Sequence, residues 1–151
     1  MKVPNSVLIP EIISALAKGH TVTIELKGFS MRPFLESDRD RVLVSRPDHI
    51  AKGDIVLAEI QPRHYVLHRI VKINPQEIIL RGDGNLHTEH CKLQDIKGKA
   101  RAFYRKGRET PDLTSGWKWK FYSKTWCTLL PIRRYVLAAY RRVWIPLFGP
   151  V

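Results

Sequence analysis

The spacing of apolar positions changes twice along the chain, from helical to strand-like and back. Over residues 6–18, Leu8, Ile12, Ala15 and Leu16 recur at helical spacing and Gly19 follows as a stop. This predicts a short N-terminal helix whose apolar face covers a sheet. From residue 21 the period becomes two. Residues 21–26 alternate and are β-branched, and residues 41–44 repeat the pattern after a charged turn. Residues 54–60 follow the turn Lys52-Gly53. Residues 64–73, 77–81 and 96–105 read as further strands, separated by Asn74-Pro75 and by Gly82-Asp83-Gly84-Asn85. Six short strands with tight turns and little helix predict a mainly β fold, an antiparallel sheet system forming a small, partly closed barrel.

The third regime begins after a polar, turn-rich stretch. All four tryptophans fall there, at Trp117, Trp119, Trp126 and Trp144. Residues 131–144 have helical periodicity, with Pro131 at the position where a helix tolerates proline. At 100° per residue, Ile132, Tyr135, Val136, Ala139, Tyr140 and Val143 share one face, and Arg133, Arg134, Arg141 and Arg142 take the other. The expected organisation is a β domain with its leading helix over 1–106, a linker over 107–116, and a basic aromatic tail with an amphipathic helix over 117–151.

Charge sharpens the picture of the tail. The chain has 151 residues and a formal net charge of +12. Between residues 117 and 142 stand Lys118, Lys120, Lys124, Arg133, Arg134, Arg141 and Arg142, with no acid among them. Such an excess calls for an anionic partner, either nucleic-acid phosphate or an anionic membrane surface. Arginines opposite aromatic and aliphatic residues fit the membrane interface; the other reading packs the apolar face on the β domain and leaves the arginines in water. Nucleic acid is not expected, because no helix-turn-helix pattern precedes the strands. No run of about 18 apolar residues predicts a spanning helix, and Pro4, Pro10 and Glu11 interrupt any signal-peptide pattern. The expected location is the membrane surface or the cytoplasm. Cys91 and Cys127 make no disulfide framework.

Three short stretches could carry chemistry. Gly28-Phe29-Ser30-Met31-Arg32-Pro33 follows a strand directly. A serine nucleophile needs an exposed turn with backbone amides beside it, and a glycine two positions earlier permits a tight backbone. A plain turn with an exposed serine has the same punctuation. His68 stands mid-strand among apolar residues, where it is either a satisfied core residue or a general base suited to neutral pH. Gly82-Asp83-Gly84-Asn85 is a hairpin turn or the carrier of a carboxylate that holds an imidazole, with Asp83 and Glu89 as the two candidates. His87, His90 and Cys91 offer zinc-type donors, but three close ligands without a partner pair leave such a site incomplete. No metal or organic cofactor is expected.

Taken in order, these pieces resemble the signal peptidase I superfamily, which also contains the self-cleaving repressor peptidases. The resemblance covers about residues 22–104 and rests on four ordered motifs. These are Gly28 to Pro33, Lys52-Gly53-Asp54-Ile55-Val56, the strand Val66-Leu67-His68-Arg69-Ile70-Val71, and Gly82 to Asn85; Ile96-Lys97-Gly98-Lys99-Ala100 resembles the closing strand. The resemblance implies Ser30 as nucleophile and His68 as base, where most bacterial signal peptidases have lysine. It implies Glu89 as the supporting carboxylate and Asp83 as a structural support. It places the oxyanion and substrate region at Gly28, Phe29, Met31 and Pro33, with the Ser30 amide as one oxyanion donor. Relatives with a hydroxyl donor two residues before the nucleophile differ, since Gly28 stands there. The implied activity is a serine endopeptidase that cleaves a leader or signal-like peptide. The alternative is a catalytically weak scaffold on the same fold that binds membrane or nucleic acid.

Overall fold

The computed structural model describes residues 8–28, 30–36, 39–129 and 132–150, without the side chain of Leu8. Phe29 and Pro131 therefore lie outside the described residues. Helix α1 (Leu8–Ala17) leads into strands β1 (Val22–Glu25), β2 (Arg41–Ser45), β3 (Ile55–Gln61), β4 (His64–Ile73), β5 (Ile78–Arg81), β6 (Glu89–Cys91) and β7 (Ile96–Tyr104). The short strand β8 (Asp112–Leu113) precedes helices α2 (Trp117–Thr128) and α3 (Arg133–Ala139), a π-helical turn over Tyr140–Trp144, and the single turn α4 (Ile145–Phe148).

The strands form one eight-stranded antiparallel sheet in the order β1-β2-β7-β3-β4-β5-β6, with β8 added to β7. It is mainly β and antiparallel, as the period-two segments predict, and it stays open, with β1 and β6 as the ends of that order. All six expected strands are present. The other two are short: β6 has three residues and β8 two, and neither is long enough to display an alternation. Strand β8 lies within the span expected as a linker.

Two apolar clusters cover the sheet. Ile55, Leu57 and Leu67 belong to one, which α1 joins through Ile12 and Leu16 and which α2 joins through Trp119. Val56, Ala58 and Ile70 belong to the other, with Leu80 and Cys91. Strand β3 is thus buried on both faces, which explains why residues 55–58 are apolar without a break. On β4 the same alternation sends Leu67 to the first cluster and Ile70 to the second, so His68 and Arg69 point to opposite faces.

Helix α2 is held by aromatic contacts. Trp119 meets Phe34 at 4.6 Å and Phe103 at 4.7 Å between ring centroids, and Tyr122 meets Phe34 at 4.6 Å. The last helical segment departs from the expected faces. It buries Arg133, Leu137 and Tyr140, while Ile132, Tyr135 and Val143 are exposed. The buried face follows the Arg133 side chain, which is only 2% exposed and reaches an ion pair with Asp83. The buried face therefore differs from the purely apolar prediction. Among the described residues no helix is long and apolar enough to cross a membrane.

Candidate active site

The Ser30 turn grows out of edge strand β1. Gly28 has φ +94°, a region that side chains rarely enter, and this bends the chain out of the strand. The turn after Ser30 closes with the Leu35 amide donating to the Met31 carbonyl at 3.0 Å. Met31 and Leu35 are fully buried, so the turn is nailed to the core on either side of Arg32 and Pro33. Ser30 itself stays partly exposed.

His68 brings the other two elements to this serine. Its Nε2 lies 3.0 Å from the Ser30 Oγ, across 38 residues of sequence. Its Nδ1 lies 2.5 Å from the Glu89 Oε2, across 21 residues. The carboxylate can only accept, so it holds the proton of a neutral imidazole on Nδ1 and leaves the Nε2 lone pair facing the serine hydroxyl. His68 is buried, and its pKa is pushed below the ordinary histidine value by desolvation; the hydrogen bond to Glu89 works in the opposite direction. The Glu89 carboxyl is held below its usual range by the His68 hydrogen bond, against a smaller effect of partial burial.

Asp83 stands elsewhere. Its side chain is fully buried and pairs with Arg69, Oδ1 at 2.7 Å from Nε and Oδ2 at 2.6 Å from Nη2. Of the two carboxylates left open by the sequence, Glu89 meets His68 and Asp83 meets the next residue of the same strand. The geometry divides them because His68 and Arg69 face opposite sides of β4. The Gly82-Asp83-Gly84 loop nevertheless touches the site through its backbone. The Gly84 amide donates to the Ser30 carbonyl at 2.6 Å, and the Asp83 amide approaches the Met31 sulfur at 3.4 Å. A Cβ at Gly82 would overlap the Ser30 carbonyl oxygen and lie 2.9 Å from the Ser30 Cβ. Glycine is the residue that lets this loop close on the serine turn.

Arg69 and Arg133 are participants that sequence reasoning missed. Arg69 carried a signal, since a charge inside Val66-Leu67-His68-Arg69-Ile70-Val71 must find a buried partner or leave the strand. Arg133 carried none, because helical periodicity assigned it to the solvated face. Among the described residues no group of three His, Cys, Asp or Glu is placed to hold a metal ion. Strand alternation explains this for His87, His90 and Cys91: Cys91 is buried in the second cluster, while His90 points outward and meets Glu77 at 3.0 Å. Burial pushes the Cys91 thiol up to about 11, which leaves it protonated and inert.

A serine hydroxyl, an imidazole and a carboxylate thus stand in series, the arrangement that acyl transfer requires. The sequence model of the Peptidase S24-like family matches residues 2–101, a stretch that contains Ser30, His68, Asp83 and Glu89. No curated protein and no solved structure matches the chain.

Proposed function

From the premise that the chain belongs to the Peptidase S24-like family, we propose that it is a serine endopeptidase of signal-peptidase type, with Ser30 as nucleophile, His68 as general base and Glu89 as the carboxylate that orients it. The observation that carries this reading is the continuous series Ser30 Oγ, His68 Nε2, His68 Nδ1 and Glu89 Oε2, with contacts of 3.0 and 2.5 Å. Three residues from three separate elements meet with the polarity that acyl transfer needs.

In the proposed reaction the Ser30 Oγ attacks the scissile carbonyl carbon while Nε2 of His68 takes its proton. The imidazolium so formed is stabilised by Glu89. The tetrahedral oxyanion is met by the Ser30 amide within the turn region of Gly28, Phe29, Met31 and Pro33. Collapse passes the proton from His68 to the leaving amine and leaves an ester on Ser30. Water, deprotonated by His68, then releases the acid and restores the serine. The substrate binds extended along β1, an end strand of the sheet order that leads to the Gly28 bend before Ser30 and suits strand addition. A leader or signal-like peptide fits such a site, because an unfolded segment is needed to add a strand.

The proposed setting is an anionic membrane surface, contacted by the tail. Ile132, Tyr135, Val143 and Leu147 are exposed on a segment that also carries Arg134, Arg141 and Arg142. Exposed apolar residues flanked by cations favour the interface of anionic lipid.

A peptide library incubated with the protein and anionic vesicles, then read by mass spectrometry, tests the activity. Cleavage by the wild type that is lost in Ser30→Ala and in His68→Ala is the expected result. Folded protein that cuts nothing, or cutting that survives in Ser30→Ala, overturns the reading and leaves a binding scaffold on the same fold.

A further inference from the structure

The stretch matched by the family ends at residue 101, yet two arginines from beyond residue 130 reach the loop on which Ser30 rests. Arg133, at the start of α3, directs Nε and Nη2 to the Asp83 carbonyl at 3.1 and 2.8 Å, and Nη2 lies 3.4 Å from the Gly82 carbonyl. Arg141, in the π-helical turn, donates from Nη2 to the Gly84 carbonyl at 3.0 Å. The carbonyls of three consecutive loop residues are therefore held by the tail.

Charge balance does not account for this arrangement. Arg69 already neutralises the Asp83 carboxylate through two short contacts. Arg133 enters as a second buried cation, with its guanidinium 5.0 Å from the centre of the Trp126 ring and its Nη2 3.4 Å from the Asp83 Oδ1. A second buried cation beside one carboxylate costs free energy unless other acceptors receive it. The acceptors supplied are the loop carbonyls. Held at these carbonyls, the loop turns its other edge to the serine turn, where Gly84 N–H meets the Ser30 carbonyl and Gly82 packs against the Ser30 Cβ.

We propose that Arg133 and Arg141 are positioning residues, a clamp supplied by the tail that presses the 82–84 loop against the Ser30 turn and so fixes the serine hydroxyl in line with His68. This rests on the peptidase reading for its kinetic consequence, but not for its structural one. Neither arginine touches the reacting atoms. Both act through the backbone of the loop, where a shift on the order of 1 Å is enough to cost about 10²-fold in rate.

The test joins a structural readout with a kinetic one, on the full chain. Amide hydrogen exchange is followed at Gly84 and Asn85, and kcat and KM are measured on a peptide that the wild type cuts. Arg141→Ala is the main variant because its side chain is largely exposed and the protein should fold normally. Arg133→Ala is the stronger one, and Arg46→Ala is the control, with the same change of charge at an exposed position outside the tail. Arg141→Ala is expected to speed exchange at Gly84 about 10-fold and to lower kcat by roughly 10- to 100-fold with KM unchanged, while Arg46→Ala does neither. Exchange and kcat in Arg141→Ala equal to those of Arg46→Ala overturn the clamp, even where Arg133→Ala fails to fold. If the wild type cuts no peptide, the peptidase reading fails. Exchange at Gly84 then decides the clamp alone, faster exchange in Arg141→Ala supporting it and unchanged exchange refuting it.

Discussion

At the scale of single residues, the environment divides chemically similar groups between different tasks. Two carboxylates follow the β5 strand, and their roles separate by the side of β4 that each one faces. Glu89 reaches His68 Nδ1 at 2.5 Å, whereas Asp83 is paired with the guanidinium of Arg69 and, more loosely, with that of Arg133. This leads to a prediction on pH. Burial lowers the His68 pKa and Glu89 partly restores it. The base works when neutral, so activity should persist below the ordinary histidine pKa of about 6.5 and fall only when His68 is protonated. Glu89→Gln removes the influence that raises the His68 pKa. Its acid limb should therefore move to still lower pH while kcat drops by up to roughly 10⁴-fold, because the tautomer is no longer fixed. A pH–rate profile of both proteins checks this; an acid limb that moves to higher pH in Glu89→Gln contradicts the assigned partner. Motif order singles out Ser30 and His68 in the sequence, and leaves Asp83 and Glu89 both open as the carboxylate. The choice between Asp83 and Glu89 needed the facing of two neighbouring strand residues, which a linear pattern does not reveal.

At the scale of elements, the sheet was readable wherever a strand was long enough to alternate. Residues 41–44 and 96–105 announce their strands because each alternates buried and more exposed positions, and 64–73, buried on both faces over residues 66–70, announces its strand by its length and its β-branched and aromatic content. Strands β6 and β8 are too short for a period and are placed by their neighbours, β6 by β5 and β8 by β7. The tail shows where periodicity misleads. The buried face carries Arg133, Leu137 and Tyr140, with Arg133 bonded to the Asp83 carbonyl, while Ile132, Tyr135 and Val143 stay exposed. Helix α2 has only a weakly amphipathic sequence, yet Trp119 and Tyr122 anchor it against Phe34 and Phe103. Trp119→Ala should therefore lower unfolding stability by about 3–5 kcal/mol, the usual range for a large buried aromatic. Chemical denaturation measures it through the midpoint, and a loss below about 1 kcal/mol would mean that α2 packs on the sheet by other contacts.

At the scale of the whole molecule, charge and exposed apolar surface gather in the same region. The tail from residue 117 to 142 carries seven Lys and Arg side chains and no acid, and beyond it Leu147 is 68% exposed and Phe148 70%. An interface that combines both should bind anionic vesicles and lose that binding as salt screens the cations over about 10 Å. Cosedimentation with vesicles containing phosphatidylserine should recover the protein, and neutral phosphatidylcholine vesicles should recover much less. Leu147→Glu with Phe148→Glu should abolish the binding without unfolding the protein, since both side chains face solvent. Equal recovery on neutral and anionic vesicles would rule out the electrostatic part of this reading. The same tail reaches the loop beneath Ser30 through Arg133 and Arg141, so its exposed apolar surface and its contacts to that loop belong to one segment.

The central claim is that Ser30 forms a covalent ester with the substrate. Acid quenching during cleavage of a peptide substrate, followed by proteolysis and mass spectrometry of the fragment holding Ser30, tests it most directly. The account predicts an added mass equal to the acyl portion of the substrate, attached at Ser30, and absent from Ser30→Ala together with all cleavage. Cleavage that proceeds in Ser30→Ala, or an acyl group carried by any residue other than Ser30, would contradict it.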